Sequence, residues 1–191
     1  MPELLDLVAD GREAIAERRY KDGYRLLAAA AADSELSPDD YERLGWSSYY
    51  TDAIAQNVPH FERAYAGYLA EGREAAAAAV AVQIAHEYTS VRLQKAIGSG
   101  WLSRAERLLE GKEEHPAHGY LQLQRGLESL KANDFDAAAR QGAEAERIGR
   151  ELGDSGLELR GRQRRAVALI GRGDIDEGRL LLNEVNAAAY S

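Results

Sequence analysis

The sequence predicts an all-α protein in which about five helix hairpins stack into a right-handed superhelical solenoid with no β-sheet. Of the 191 residues, 45% are hydrophobic, and among these Ala and Leu far outnumber the two Phe, two Trp and one Met. Ala and Leu favour helices, whereas aromatic and β-branched residues favour strands. A pattern of small and bulky residues also recurs along the chain at helical spacing. No stretch shows the period-two alternation that a half-buried strand requires.

The recurring pattern is a small residue, a bulky residue four positions later, and a small or β-branched residue three positions after that. Residues at these positions share one helix face, and the small residue lets a neighbouring helix approach closely. Four copies begin at Gly23, Asn57, Gly98 and Gly178, and a weaker copy, in which Gly142 takes the bulky position, begins at Ala138. Their spacings of 34, 41, 40 and 40 residues each fit one helical hairpin plus a variable loop. The pattern therefore indicates the second helix of five hairpins.

A first helix is predicted upstream of each copy. Gly11, Gly45 and Gly126 stand twelve residues before three of the copies, where a close helix crossing favours a residue without a side chain. His86 and Ala166 take this position in the other two hairpins. The predicted helix pairs span residues 3–17 and 20–33, 38–52 and 54–70, 73–91 and 94–110, 117–131 and 135–152, and 155–171 and 175–188.

These pairs predict one repeat domain over residues 1–191. The five repeats cover residues 1–36, 37–71, 72–112, 113–153 and 154–191. The last helix carries apolar residues such as Leu181, Leu182 and Val185 and is not followed by a polar capping helix. We therefore expect further repeats in a longer parent protein, or a partner that covers this face.

Four sequence stretches carry a family resemblance: Leu44-Gly45-Trp46, residues 61–65, residues 100–111 and residues 149–154. In order and spacing they resemble the tetratricopeptide region of actinobacterial multidomain regulators. In that family such repeats are joined to a LuxR-type helix-turn-helix or to a class III adenylate cyclase domain. The resemblance covers nearly the whole chain, and the run from Trp101 to Gly111 is its most specific part. It implies a tetratricopeptide-like fold and a regulatory role.

Repeat two departs from this family pattern. Thr51-Asp52-Ala53-Ile54 stands where a Gly-Asp turn is expected, and Asn57 takes the small-residue position. We therefore expect the hairpin of this repeat to differ from the others.

Composition excludes several classes of function. The formal net charge of −8 opposes direct binding of nucleic acid by this segment. The absence of cysteine removes disulfides, thiolate nucleophiles and cysteine-based metal sites. The acidic start of the chain lacks the features of a signal peptide, and no apolar run approaches membrane-spanning length. The sequence predicts a cytoplasmic protein that does not bind membranes.

No pattern of residues indicates an active site or a cofactor. His115 and His118 follow Glu113 and Glu114, but such a loop rarely brings ligands together with the geometry that a metal requires. A solvated loop is the favoured interpretation of this stretch. The segment Gly98–Gly100 is not preceded by a strand and is not followed by Lys-Ser or Lys-Thr, so we interpret it as a helical turn instead of a phosphate-binding loop. We expect no catalytic residue, no metal and no cofactor.

A concave groove is the predicted functional surface, because the first helices of tetratricopeptide-like repeats line the inner wall. Aromatic side chains beside amide and charged groups suit the binding of a peptide or a small ligand. The alternative is that Trp46 and one tyrosine pack between repeats. The predicted groove residues are Asp39, Glu42, Trp46, Tyr49, Tyr50, Gln83, Glu87, Tyr120, Leu123, Arg160 and Gln163.

Four arginines, Arg160, Arg162, Arg164 and Arg165, form the one basic cluster in the sequence. Arg160 and Arg164 are four residues apart and share a helix face, so they can bind carboxylates of a partner. Intramolecular pairing with Glu144, Glu146 or Glu158 is the favoured alternative.

The sequence therefore predicts a non-catalytic interaction or regulatory scaffold, the sensing segment of a larger transcriptional regulator. Its expected partner is a protein or peptide, another domain of the parent protein, or a second copy of the chain. Two alternatives stay open: a small-molecule sensor that uses Trp46, Tyr49 and Tyr50, and the regulatory segment of an adenylate cyclase.

Overall fold

A computed structural model describes residues 4–189, and it confirms the all-α fold class. Within this part of the chain there are ten α-helices, paired as five consecutive hairpins, and no strand. The helices are α1 (Leu4–Ala16), α2 (Tyr20–Asp33), α3 (Pro38–Ser47), α4 (Asn57–Ala70), α5 (Glu74–His86), α6 (Lys95–Leu109), α7 (Pro116–Lys131), α8 (Phe135–Leu152), α9 (Ser155–Arg172) and α10 (Ile175–Ala189).

The helices belong to two compact units. Unit 1 extends to Arg104, and unit 2 starts at Ala105, so α6 contributes to both. Unit 1 contains α1 to α5, and unit 2 contains α7 to α10. That all 191 residues act as a single domain stays a prediction.

The recurring small residues lie where helices pack most closely. In the first hairpin Gly23, Leu27 and Ala30 are all buried. A Cβ atom on Gly11 would lie only 2.8 Å from the Cγ atom of Leu27. The close approach of α1 and α2 therefore requires a residue without a side chain at this position. The same relationship holds between Gly45 and the ring of Phe61 in the second hairpin.

Turns in unit 2 end one helix and cap the next. Asn133 (φ 58°) and Gly153 (φ 70°) adopt left-handed backbone conformations after α7 and α8, which Asn and Gly tolerate best. Asp134 and Asp154 then accept hydrogen bonds from the backbone N–H groups of Ala137 and Leu157, at 3.0 and 2.9 Å. These side chains act as N-caps of α8 and α9.

The hairpin of repeat two differs from the others, as its sequence predicts. The expected first helix over 38–52 is wrong at its end, because α3 stops at Ser47 and short 3₁₀ turns follow at Ser48–Tyr50 and Ile54–Gln56. The hydroxyl of Thr51 donates to the carbonyl of Ser48 at 2.9 Å and accepts from the N–H of Ala53 at 3.1 Å. Such side-chain bonds to the backbone compete with continued helix.

A π-helical turn follows α5. The helix predicted over 73–91 is α-helical only to His86, and Glu87–Val91 form the π turn. The hydroxyl of Thr89 donates to the carbonyl of Ala85, which favours a departure from regular α-helical bonding. Gly98 of α6 packs where α5 meets this turn, since a Cβ atom there would lie 2.9 Å from the Ala85 carbonyl oxygen and 3.1 Å from Cγ2 of Thr89.

Candidate functional site

Four predicted groove residues form one row along unit 1. Asp39, Glu42, Trp46 and Tyr49 lie on successive turns of α3 and its 3₁₀ extension, three or four residues apart, a spacing that keeps side chains on one helix face. Gln83 of α5 and Glu87 of the π turn extend the row through their contacts with Tyr49. We call these six residues the α3–α5 face.

Trp46 is the exposed centre of the α3–α5 face. The residue is 45% exposed, yet its indole N–H donates to Glu42 at 3.3 Å. Its ring meets Phe61 edge-on at 5.4 Å between centroids and lies 5.9 Å from the ring of Tyr49. Contacts on several sides therefore hold the indole in place while part of its surface meets solvent.

At one end of this face, Asp39 pairs with a residue that the sequence did not indicate. The guanidinium of Arg73 donates two hydrogen bonds to Asp39, at 2.6 and 2.9 Å, and lies 4.4 Å from the ring centroid of Tyr68. The Tyr68 hydroxyl in turn donates to Glu42 at 2.7 Å. Burial, assisted by this bond to Glu42, raises the pKa of Tyr68 above its ordinary value.

Tyr68 and Arg73 therefore contact the α3–α5 face, although sequence reasoning missed them. Tyr68 continues the small–bulky–small row of α4, since it lies one turn beyond Ala64, and extending that row would have indicated it. Arg73 lies at the start of α5, after a turn whose path the sequence pattern does not fix.

At the other end of the face, a buried carboxylate is bonded to Tyr49. The Tyr49 hydroxyl donates to Glu87, which is only 2% exposed, and accepts from the amide of Gln83 at 2.8 Å. Burial and the neighbouring Glu87 carboxylate raise the pKa of Tyr49. These bonds connect α3 and α5, and they leave the three polar groups engaged within the protein.

Tyr50 does not join the α3–α5 face. Its ring stacks on that of Tyr20, at the start of α2, with centroids 4.1 Å apart and ring planes 17° apart. Tyr50 is nevertheless 54% exposed. Tyr50 follows Tyr49 in the same 3₁₀ turn, but its ring packs against α2, so it takes a different position from the one that the repeat register suggests.

In unit 2, two predicted groove residues belong to a hydrophobic cluster between α7, α8 and α9. Leu123 packs with Ala145, Ile148 and Leu157 and is 8% exposed, and Tyr120 packs against this cluster. Leu123 is therefore a core residue and does not face solvent. The Tyr120 hydroxyl donates to Asp154 at 3.1 Å.

Arg160 and Gln163 are both exposed on α9. The Arg160 guanidinium carbon lies 5.9 Å from the ring centroid of Tyr120, at the outer limit of a cation–π contact. Tyr120 and Arg160 are thus neighbours.

The expected intramolecular pairing occurs for Arg162 and Arg165. Arg162 donates to Glu146 and to Glu158, both at 3.0 Å, and Arg165 donates to Glu177 at 3.2 Å. Glu146 is only 7% exposed, so these hydrogen bonds offset part of the cost of burying its charge.

His115 and His118 cap α7. The Nδ1 atom of His115 accepts from the N–H of Ala117 at 3.1 Å, and Nδ1 of His118 accepts from the N–H of His115 at 3.2 Å. Nε2 of His118 lies 3.3 Å from the carbonyl oxygen of Leu109, to which it donates. The His115 ring is therefore assigned as neutral with the proton on Nε2.

Among residues 4–189, no group of three or more His, Asp or Glu side chains is arranged to hold a metal ion. No helix in this same stretch has both the length and the apolar character to cross a membrane.

Comparison with known proteins identifies structural neighbours. No protein-family model matches the sequence, and no curated protein matches it. The structure is similar to a putative kinesin light chain from Podosopora anserina with nearly identical TPR-like repeats, at 16% sequence identity and a TM-score of 0.61. A single-substitution variant of that protein gives 16% identity and a TM-score of 0.63. Each match covers 96% of this chain and 93% of the other.

At this level of identity the likeness concerns the fold. The chain has an all-α helical repeat fold of the tetratricopeptide-like type.

Proposed function

We propose that the chain is a non-catalytic protein-interaction scaffold whose α3–α5 face binds an extended peptide segment. The observation that carries this proposal is the exposure of Trp46, at 45%, combined with the fixed position of its ring against Phe61 and Glu42. An aromatic ring held in place buries a large area on binding and loses little conformational entropy, so such residues dominate binding energies at interfaces.

The surroundings of Trp46 favour an apolar or cationic anchor in the peptide. The Glu42 carboxylate lies at the edge of the indole ring, and the exposed Asp39 carboxylate lies one turn earlier on α3. A Lys or Arg side chain can stack on an indole and interact with adjacent carboxylates. The overall charge of −8 also supports a protein partner over a nucleic acid.

A small-molecule sensor is less well supported. A small ligand is oriented by a few polar groups that converge on it. The hydroxyl of Tyr49 and the buried carboxylate of Glu87 are instead bonded to each other.

We further propose that the chain is the interaction segment of a larger cytoplasmic regulator, whose partner is another domain of the parent, a second copy or a separate protein. The resemblance to tetratricopeptide regions of LuxR-type regulators and of class III adenylate cyclases supports this part of the proposal. It rests on the sequence stretches that carry that resemblance.

Selection from a phage-displayed library of random peptides tests the proposed face. Selected peptides should bind the wild-type chain and lose about tenfold or more in affinity with Trp46→Ala, because truncation of a central aromatic anchor has effects of this size. Leu69→Ala is the matched control, since Leu69 is also exposed, at 38%, but lies on α4.

Trp46 packs on Phe61, so melting curves must show that the variant remains folded. Trp46→Leu provides a second variant that retains apolar packing and lacks the indole. Failure to enrich any peptide, or equal affinity for the wild-type and both Trp46 variants, would contradict the proposed face.

A further inference from the structure

The arginine cluster on α9 is divided into two pairs with different surroundings. Arg162 and Arg165 are bonded to carboxylates, as described above. Among the described residues, no hydrogen bond or ion pair involves Arg160 or Arg164. These two residues are one helical turn apart, on the side of α9 that contacts Tyr120 and Gly126 of α7.

Arg164 is partly buried against a glycine of α7. A Cβ atom on Gly126 would lie 3.0 Å from Cγ of Arg164 and 3.3 Å from its Cδ, so the arginine stem occupies the space that a side chain on α7 would fill. The Nε–H group of Arg164 is shielded from solvent and has no hydrogen-bond partner. Burial lowers the pKa of the Arg164 guanidinium.

A shielded donor on a cation without a counter-ion is energetically unfavourable, because the guanidinium loses hydration without regaining a protein partner. Glu128 of α7 also has a buried and unbonded carboxylate oxygen. Two residues correspond to about 200° around a helix, so Glu128 leaves α7 on the side opposite Gly126 and does not neutralise Arg164.

We propose that Arg160 and Arg164 bind the Asp or Glu side chains of a short acidic peptide segment that lies along the α7–α9 side of unit 2. Guanidinium groups bind carboxylates through paired N–H donors. Arginines four residues apart on a helix share one face, with Cβ atoms about 5–6 Å apart, so both can reach carboxylates on one extended peptide. Gln163 is exposed on the same helix, and the ring of Tyr120 lies beside Arg160.

The number of available charges favours a short peptide over a nucleic acid. A nucleic acid presents many phosphates and would be repelled by a chain with net charge −8. Two neighbouring guanidiniums, in contrast, suffice to bind one or two carboxylates. This surface lies in unit 2 and does not include Trp46, so the inference goes beyond the proposed function and does not depend on it.

The experiment uses fluorescein-labelled peptides of Gly, Ser and Ala that carry none, one or two Glu residues. Fluorescence anisotropy at low ionic strength should show binding that strengthens with the number of Glu residues and weakens as salt is added. The double variant Arg160→Gln/Arg164→Gln should lose about tenfold or more in affinity for the peptide with two Glu residues.

Arg140→Gln/Arg179→Gln is the charge-matched control, because Arg140 and Arg179 are exposed arginines on α8 and α10. This variant and Trp46→Ala should both bind the acidic peptide like the wild type. The proposal fails if the wild type does not distinguish the peptide with two Glu residues from the uncharged one. It also fails if the double variant binds that peptide as well as the wild type does, or if a single-stranded oligonucleotide binds in an arginine-dependent manner while the acidic peptides do not.

Arg164→Met separates a binding role from a structural one. Met keeps the length of the stem and removes the uncompensated charge, so the melting temperature should stay the same or rise while affinity for the acidic peptide falls. A clear fall in melting temperature would contradict the proposal, because it would show that the guanidinium stabilises the fold.

Discussion

The guanidinium of Arg12 on α1 donates two hydrogen bonds to the carboxylate of Asp40 on α3, at 2.8 and 2.6 Å, and so joins the first helices of two successive hairpins. Asp40 is 1% exposed, and the hydroxyl of Ser37 also donates to it at 2.6 Å. Burial by itself would raise the pKa of Asp40, but the hydrogen bonds from Arg12 and Ser37 hold that pKa below its ordinary value.

Asp40→Asn is therefore expected to lower the free energy of unfolding by about 1–3 kcal/mol at neutral pH, because it weakens a charge-assisted network around a buried group. Urea unfolding of the wild type and the variant measures this difference. Asp39→Asn is the matched control: its carboxylate also receives two hydrogen bonds from an arginine but is 40% exposed, so its loss should cost less than about 1 kcal/mol.

The bond between Arg12 and Asp40 also predicts how the stability of the protein changes at acidic pH. The pKa of Asp40 is lower in the folded state than in the unfolded chain, where it is close to 4. The ionised Asp40 carboxylate therefore adds to the free energy of unfolding above that value, and this contribution is lost as the pH falls through the native pKa. Unfolding measured between neutral and strongly acidic pH should show a smaller loss of stability in Asp40→Asn than in the wild type. Equal losses would contradict the assignment.

The histidine caps of α7 predict a second pH effect, at higher pH. Burial, with a smaller effect of the neighbouring His118, lowers the pKa of His115 below 6.5, and Nδ1 can accept the bond from Ala117 only while the ring is neutral. As the pH falls, His115 is protonated in the unfolded chain at a higher pH than in the folded chain. The contribution of this cap to stability is therefore complete above about pH 7 and declines as the pH falls.

Amide-exchange protection of Ala117, corrected for intrinsic rates, should therefore fall between neutral pH and about pH 5.5 in the wild type. In His115→Ser the decrease should be smaller, since a hydroxyl caps a helix in a pH-independent way. His60→Gln is a useful control, because burial also lowers the pKa of His60, but that residue lies on α4 in unit 1. A pH dependence that persists in His115→Ser would contradict the proposed cap.

Substitution of Gly161 by Ala is expected to lower the stability of the protein, although Ala has a higher helix propensity than Gly. A Cβ atom on Gly161 would overlap the backbone of Glu146, where α8 and α9 cross. Gly161→Ala should therefore destabilise unit 2 by about 1–3 kcal/mol through overpacking. Gly100→Ala on α6 is the control, because nothing lies within 4 Å of its Cβ position. It should stabilise by about 0.5–1 kcal/mol, as propensity alone predicts. Urea unfolding of both variants checks the two signs, and stabilisation by Gly161→Ala would contradict the observed crossing.

Tyr49 and Glu87 provide a test of the α3–α5 face that is independent of ligands. Tyr49→Phe removes the donor to a buried carboxylate and should cost about 1–3 kcal/mol of stability. A double-mutant cycle with Glu87→Gln should give a coupling energy of at least about 0.5 kcal/mol. Additive effects in urea unfolding would indicate that the two side chains do not interact in solution.

The helix ends and helix faces were largely predictable from local features of the sequence, namely capping residues and residue spacing. Nearly all helix ends fall within a few residues of their predicted positions, because capping residues such as Asp134 and Asp154 lie beside left-handed Asn133 and Gly153. Spacing also located Asp39, Glu42, Trp46 and Tyr49 on one face, since helical periodicity is independent of tertiary contacts.

Features that depend on tertiary contacts were not predictable in this way. Tyr50 leaves the row because α3 ends early and Tyr20 is available for stacking. Leu123 and Tyr120 lie three residues apart on α7, and their burial depends on a cluster that also includes residues of α8 and α9. Likewise, the cluster of four arginines gives no sign that Arg164 lacks a counter-ion, because this depends on where the carboxylates of neighbouring helices lie.

The π-helical turn at Glu87–Val91 gives repeat three a tolerance for changes in chain length. Its characteristic bond, from the N–H of Arg92 to the carbonyl of Glu87 at 2.9 Å, encloses one residue more than an α-helical bond does. Deleting one residue here lets the turn revert to α-helical bonding, whereas a deletion inside α5 rotates every later side chain by about 100°. Evolutionary insertions and deletions in this repeat are therefore expected at the π turn, where they leave the contact of Gly98 with Ala85 and the bond between Glu87 and Tyr49 in place.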